Sequence, residues 1–342
     1  MISLPFVIES LYSTKIYKCI NSPLSLLTGL FPFSVAEALV FILLLLSLYK
    51  LFVFIKNAYL SPKKYLNRRH LFKTTKRFLL IIIIFFIIFE IIWGLNYYRL
   101  PFSHIIKVEI TKYSKSDLEE LCMFLIEETN KYRENINENK DGVMTLTKGK
   151  RWVLSSAYLG YNTLSNSYNI LSGKYGKPKP VLLSNLMCYT GIVGIYFPFT
   201  GEANVNMKTP DPSFPNTVAH EMAHQRGYAR EDEANFISYL ACIENPNIEF
   251  KYSGSLLALT YSINALYKED KESADSLKTH FSEGLAKDLI YIGSFWEKYE
   301  GPVERITNDI NDTYLKANSQ KDGVKSYGRM VDLLIAYYKK NK

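Results

Sequence analysis

Two apolar runs constrain this chain more than anything else in it. From Phe33 to Ile55, and again from Phe78 to Leu95, the residues are almost continuously hydrophobic. At a rise of about 1.5 Å per residue, each run is long enough to cross roughly 30 Å of hydrocarbon. A core helix would show a polar stripe at helical spacing, and neither run has one. The sequence therefore predicts two transmembrane helices.

Between them, the segment from Lys56 to Arg77 holds Lys56, Lys63, Lys64, Arg68, Arg69, Lys73, Lys76 and Arg77 and no acid, which accounts for the whole formal net charge of +8. A basic loop bracketed by two spans is retained in the cytoplasm, placing the N-terminus and everything after Leu95 outside. It needs no nucleic-acid partner to explain it, and none is expected. Lys50 lies where its stem can snorkel to the inner headgroups, and Trp93, Tyr97 and Tyr98 mark the outer interface. Glu37 and Glu90 fall in the outer parts of the spans. The chain divides into residues 1–32, a hairpin over 33–95 with its loop at 56–77, and an extracytoplasmic domain over 96–342. The first segment has only weak apolar patches and no leader-peptide pattern, so it is expected to lie externally on the membrane.

Within the domain, Ser116 and Glu119 read as a capping box for a helix ending near Arg133, and Trp152 to Leu171 as a second helix. Gly173 to Pro180 is a loop. Val181–Ser184, Gly194–Phe197 and Ala203–Asn206 read as three short strands forming a meander, with Glu202, Asn204 and Asn206 on the edge available to an extended peptide. Beyond Pro246, apolar residues recur at helical spacing over Leu256–Tyr267, Ala274–Lys278, Leu285–Trp296, Val303–Leu315 and Val324–Tyr338. The expected fold class is α+β, mainly α, with a small sheet. The four cysteines, Cys19, Cys122, Cys188 and Cys242, follow no metal or redox spacing, and their apolar surroundings favour buried free thiols.

The chemistry concentrates in His220-Glu221-Met222-Ala223-His224. Prolines at 210, 212 and 215 forbid a helix upstream and Gly227 is placed to stop one, so the run has a start and an end. Two histidines four apart on a helix share a face and can reach one zinc ion, and Glu221 beside them reads as the general base. A third ligand three residues beyond Gly227 would be Arg230, which cannot bind a metal. Glu231, Asp232 and Glu233 open the next helix. Stepping back four from its apolar Ile237 selects Glu233, while Glu231 and Asp232 fall nearer the solvent side or the N-terminal turn. Tyr252, Tyr261, His280 and Tyr327 are candidates for stabilising an oxyanion.

The run from Gly194 to Asn206, the HExxH segment through Gly227 and Glu231 to Phe236 resemble bacterial membrane proteins of domain-of-unknown-function family 3810, a zinc-peptidase-like group. The resemblance extends to Trp93-Gly94-Leu95-Asn96-Tyr97 and Asp322 to Gly328. It implies a zincin-like external domain. Glu233-Ala234-Asn235 is also similar to a tripeptide whose glutamate binds zinc in other metallopeptidases, which again implies Glu233. The resulting expectation is a membrane-anchored zinc metallopeptidase with ligands His220, His224 and Glu233 and base Glu221, acting on peptides or proteins at the cell envelope. A non-catalytic zinc-binding scaffold and a cell-wall peptide amidase are the alternatives.

Overall fold

The computed structural model describes residues 4–65, 67–318 and 329–342. Helices of six or more residues and the strands are numbered in chain order. Residues 4–29 are helical throughout, wound as a π-helix over Ile8–Ile16 and as α1 over Tyr17–Gly29. This segment packs into the domain instead of lying apart from it. Tyr17 is fully buried, and its hydroxyl and the Asn21 side-chain amide both donate to the Gln225 carbonyl, at 3.2 and 2.7 Å. The predicted loop crosses α1 so closely that a Cβ on Gly176 would stand 2.2 Å from the Ser25 carbonyl oxygen, so glycine is required at that point. The buried residues of α1 are Tyr17, Asn21, Ser25 and Thr28. A helix whose inner stripe is made of hydrogen-bonding side chains is invisible to a search for apolar faces.

Both apolar runs are helices with capped starts. In α2 (Val35–Leu60) the Ser34 hydroxyl accepts from the Glu37 N–H, and in α3 (Arg68–Ile92) Asn67 accepts from the His70 N–H. Among the described residues one helix, α2, is long and apolar enough to span a membrane. The apolar part of α3 begins only after Lys76 and Arg77, contains Glu90, and stops at Ile92, where Gly94–Tyr98 turns into a 3-10 helix. The second run is thus shorter as a helix than it is as a sequence.

After the two apolar helices comes α4 (Lys115–Arg133), opened by a capping box between Ser114 and Asp117, just ahead of the buried Leu118. The same Ser-x-x-acid pattern occurs two residues later at Ser116 and Glu119, inside the helix, and that copy is not used. The helix expected over Trp152–Leu171 is divided at Ala157 into α5 (Gly149–Ser156) and α6 (Tyr158–Ser167). The sheet follows: β1 (Lys179–Val181), α7 (Ser184–Tyr189), β2 (Gly194–Phe197) and β3 (Glu202–Asn206).

Strand order is β1-β3-β2, with β1 parallel and β2 antiparallel to β3. The expected meander is therefore a mixed sheet. The intervening α7 lets β1 run alongside β3 in the same direction, which a tight turn could not. β3 is central and wholly buried, so it is no peptide-accepting edge. Its side chains are committed to structure. Glu202 accepts from the Val35 and Ala36 N–H groups at 3.1 and 2.7 Å, and the Ser34 hydroxyl donates to Asn204 at 2.6 Å.

The remaining elements are α8 (Phe214–Gln225), α9 (Glu231–Ile243), α10 (Ile248–Glu269), α11 (Lys271–Lys278), α12 (Glu283–Glu297), α13 (Pro302–Ala317) and α14 (Met330–Asn341). Part of the helix expected from Val324, together with Tyr327 and the Asp322–Gly328 run, lies outside the described residues. α4, α8, α9, α10 and α14 enclose one core built on residues such as Leu121, Leu125, Phe236, Leu240 and Leu259. Cys122, Cys188 and Cys242 are buried free thiols, whereas Cys19 is exposed.

One buried ion pair fastens the N-terminal segment to this core. Arg99 meets Glu9 through two N–H donors at 2.7 and 2.9 Å, and its third contact is the Gly227 carbonyl at 2.9 Å. Removing one partner of such a pair strands the other charge, at a cost of about 3–5 kcal/mol. Glu9→Ala is expected to lower stability by about that amount in thermal or denaturant unfolding. Glu283→Ala, in the exposed pair with Lys287, is expected to leave the midpoint unchanged.

Candidate metal centre

α8 starts behind Pro210 and Pro212, carries Pro215 in its first turn where no amide donor is needed, and ends at Gly227 in the left-handed region at φ +86°. A Cβ there would meet the Tyr17 ring at 2.9 Å, so α1 and the helix end approach each other only because the residue is glycine. On this helix His220 and His224 face one another, with their Nε2 atoms 3.0 Å apart. The Nδ1–H of His224 donates to the Tyr228 carbonyl at 2.7 Å, which orients the ring and turns its Nε2 toward His220.

The third member of the cluster is Glu231. Its Oε2 lies 3.2 Å from His220 Nε2 and 3.6 Å from His224 Nε2. A four-coordinate zinc with bonds of about 2.0–2.1 Å holds its ligand atoms about 3.3 Å apart, so the three side chains already stand at the separations one ion requires. Among the described residues this is the group of histidine, cysteine and carboxylate side chains able to hold a metal ion. Two imidazoles and a carboxylate are a donor set that suits zinc.

Glu233 is elsewhere. Its Oε1 accepts from the Phe102 N–H at 2.8 Å and stands 4.0 Å from Arg230 Nε. α9 begins at Glu231, whose side chain leans back toward the end of α8, while Glu233 lies roughly 200° further round the helix. Stepping back from Ile237 misleads because α9 is buried from Asp232 to Cys242, leaving no single inner face to extrapolate. Asp232 pairs with Arg230 at 3.1 Å and with Arg329 at 3.5 Å, so Arg230 serves the fold.

Electrostatics follow from this placement. Burial acts to raise the Glu231 carboxyl, but His224 and His220 outweigh it and hold it well below the usual carboxylate range. Burial acts to lower His224, but the Glu231 charge outweighs it and the imidazole is held at about 9. The pair thus carries a proton that an incoming cation displaces. Burial also pushes the Glu221 carboxyl up, opposed by the two histidines. Glu221 is tucked against β2 so tightly that a Cβ on Gly194 would stand 2.5 Å from its Oε1, and its Oε2 has no hydrogen-bond partner among the described residues. A buried carboxylate with one oxygen free, beside a cluster able to hold a metal ion, has the placement that proton transfer requires.

Around the cluster, the Trp93 ring packs 6.1 Å from His224 and 4.6 Å from Tyr196. The hydroxyls of Tyr97 and Tyr314 are 3.1 Å apart nearby, and both feel the Glu231 charge. Trp93 and Tyr97 read in the sequence as membrane-interface aromatics. Their place in the run from Trp93 to Tyr97, shared with the resembled family, is the sequence signal that could have pointed to the site. Of the oxyanion candidates, Tyr261 accepts from Asn235 and lies within the field of Glu231. Tyr252 is bound to Asp288 at 2.5 Å in the core, and His280 is exposed beyond α11.

The fold and site define a mainly helical protein with a His-His-Glu cluster that can hold a metal ion, joined to a membrane-length helix. The chain belongs to the family described as "Protein of unknown function (DUF3810)", which it matches over residues 12–335. That span runs from the N-terminal helices through the apolar helices and the cluster into α14. No curated protein and no solved structure matches it.

Substitutions separate the two glutamates. Glu231→Ala is expected to weaken zinc binding by about 100-fold or more, beyond the roughly 10–100-fold that outer-shell partners command. Glu233→Gln, which keeps an acceptor for the Phe102 N–H, should retain the metal. Metal analysis of the dialysed full chain decides it, and zinc retained in Glu231→Ala would exclude Glu231 as a ligand.

Proposed function

We propose that this protein is a membrane-anchored zinc metallopeptidase that hydrolyses peptide bonds at the cell envelope, with His220, His224 and Glu231 as metal ligands. The observation that carries the reading is the convergence of these three donors at zinc-like spacings beside Glu221, which shares a helix with the two histidines and has one carboxylate oxygen without a hydrogen-bond partner among the described residues. A bound zinc ion supplies Lewis-acid polarisation of the amide carbonyl and an activated water at neutral pH. Glu221 takes a proton from the attacking water and passes it to the departing amine, a role favoured by a carboxyl that burial pushes up. The Tyr228 carbonyl keeps His224 oriented, and the Trp93 ring shields one side of that imidazole from solvent. The free edge of β2, beside Glu221, replaces β3 as the strand on which an extended peptide could lie. A scaffold that used zinc only for support would not need a carboxylate buried beside the two histidines with one oxygen unpartnered. Amides of cell-wall peptides are served by the same four residues.

Glu221→Gln is the test of catalysis. It should leave zinc content and folding intact and lower kcat by about 100-fold or more, the scale of general acid–base catalysis. Full activity in this variant would overturn the peptidase reading.

The anchor is read as a hairpin with both helices spanning. The side chains of α3 from Phe78 to Ile88 are apolar and remain exposed, Phe85 included, although its ring meets Phe199 at 5.9 Å. The start of α2 meets the sheet and the end of α3 meets the metal cluster, so the basic connection lies at the far end from the domain. A reporter active only in the cytoplasm is expected to function when inserted within residues 63–69 and to be silent after Lys342. The reverse pattern would place the metal cluster inside.

A further inference from the structure

The two long helices are not the only apolar surfaces this chain leaves uncovered. On α13, Val303, Ile306, Ile310 and Tyr314 are all exposed, from 38% to 65%, and recur at helical spacing as one stripe, with Arg305 on the opposite side. A second patch follows β1, where Leu182, Leu183, Leu186 and Tyr189 are exposed, Leu182 to 81%. Neither patch is isolated. The Tyr314 ring packs 6.4 Å from Phe89 of α3, and the Leu182 and Leu183 N–H groups donate to the Glu37 carboxylate in the first turn of α2, at 2.9 and 2.8 Å. Tyr189 stacks edge-on with Tyr299 at 5.1 Å, just ahead of α13, so the patches also meet each other.

We propose that these patches form a collar, continuous with α2 and α3, that sinks into the outer interfacial layer of the bilayer, with α13 lying in the membrane plane. The occupant follows from continuity. The collar starts at the first turn of a helix long enough to cross a membrane and ends on a side chain of the other apolar helix. An apolar stripe backed by a polar face, which on α13 carries Arg305, Asn308 and Asp312, is the division an interfacial helix needs. The metal cluster is carried with it. Trp93, the residue directly after α3, touches His224, so the site stands at the level where the apolar helix ends. Resting on the metallopeptidase reading, this names the substrate class: polypeptides tethered to the same membrane and cut close to its surface.

The test uses the full chain with Cys19→Ser, in vesicles of phosphatidylcholine and phosphatidylglycerol. A bimane label is placed on Ile306→Cys, Ile310→Cys or Arg305→Cys, and some lipids carry a nitroxide near the headgroup end of the acyl chain. Labels at 306 and 310 should be quenched about twofold and the label at 305 hardly at all, as for a face buried about 5–10 Å into the headgroup boundary. Equal quenching at the three positions, no quenching at any, or label-to-label quenching that marks a second copy on the stripe would each overturn the collar. In the same vesicles, fluorogenic peptides are supplied free or on a palmitoyl anchor, and the anchored form should be cleaved at least tenfold faster, a preference lost in Ile306→Asp/Ile310→Asp. Equal cleavage of both forms would overturn the substrate assignment. Cleavage of neither, with the quenching pattern intact, would strike the peptidase reading and leave the collar standing.

Discussion

The guanidinium of Arg99 is the point at which three distant parts of the chain are made to agree. It lies between the end of the second apolar helix and the domain, and binds Glu9 from the N-terminal segment. It also donates to the Gly227 carbonyl and stacks 4.0 Å over the Tyr228 ring. Gly227 and Tyr228 form the turn between the histidine helix and the helix that begins with Glu231, and the Tyr228 carbonyl orients His224. A buried charge held by a hydrogen bond from each of its three nitrogens allows little rearrangement around it. The position of one turn, and through it the metal cluster, is thereby set by contacts that begin some two hundred residues away in sequence.

The parts that could be read from the sequence are those that repeat a local rule. The HExxH spacing put two imidazoles on one face because a helix dictates it, and the proline and glycine boundaries of α8 follow from backbone chemistry alone. The strand Gly194–Phe197 was recognisable between its glycines and Pro198. What could not be read depends on how helices meet. Glu231 and Glu233 are both acids in a first turn, and only the path of the chain through Gly227 decides which of them points back. In α9, periodicity carries no information, since a helix buried on every side has no face to mark. α1 escaped notice for the converse reason, its inner stripe being tyrosine, asparagine, serine and threonine. Two overlapping capping patterns near residue 115 were equally good locally, and core contact through Leu118 selects the earlier one. The order of the sheet turned on a six-residue helix that local patterns do not disclose.

The sheet also explains why acids and amides crowd β3. Read as side chains offered to a ligand, Glu202, Asn204 and Asn206 suggested an exposed edge. They instead satisfy the loops and helix ends that converge on a central strand, where every polar group must find a partner. Gly194 shows the complementary case on β2, a residue with no side chain whose value lies in the space it yields to Glu221.

The grip of Glu202 on the opening amides of α2 has a mechanical consequence. A helix N-terminus held by a carboxylate of the central strand, with Ser34 bound to Asn204 of the same strand, cannot lean without turning the sheet. Spans adapt to hydrophobic mismatch by changing their tilt. On the membrane-anchored reading proposed above, such a change would be transmitted to β3 and to the neighbouring strand against which Glu221 rests. On that reading the thickness of the surrounding lipid would act on the position of Glu221 relative to His220 and His224, through a lever whose short arm is a single hydrogen-bonded carboxylate.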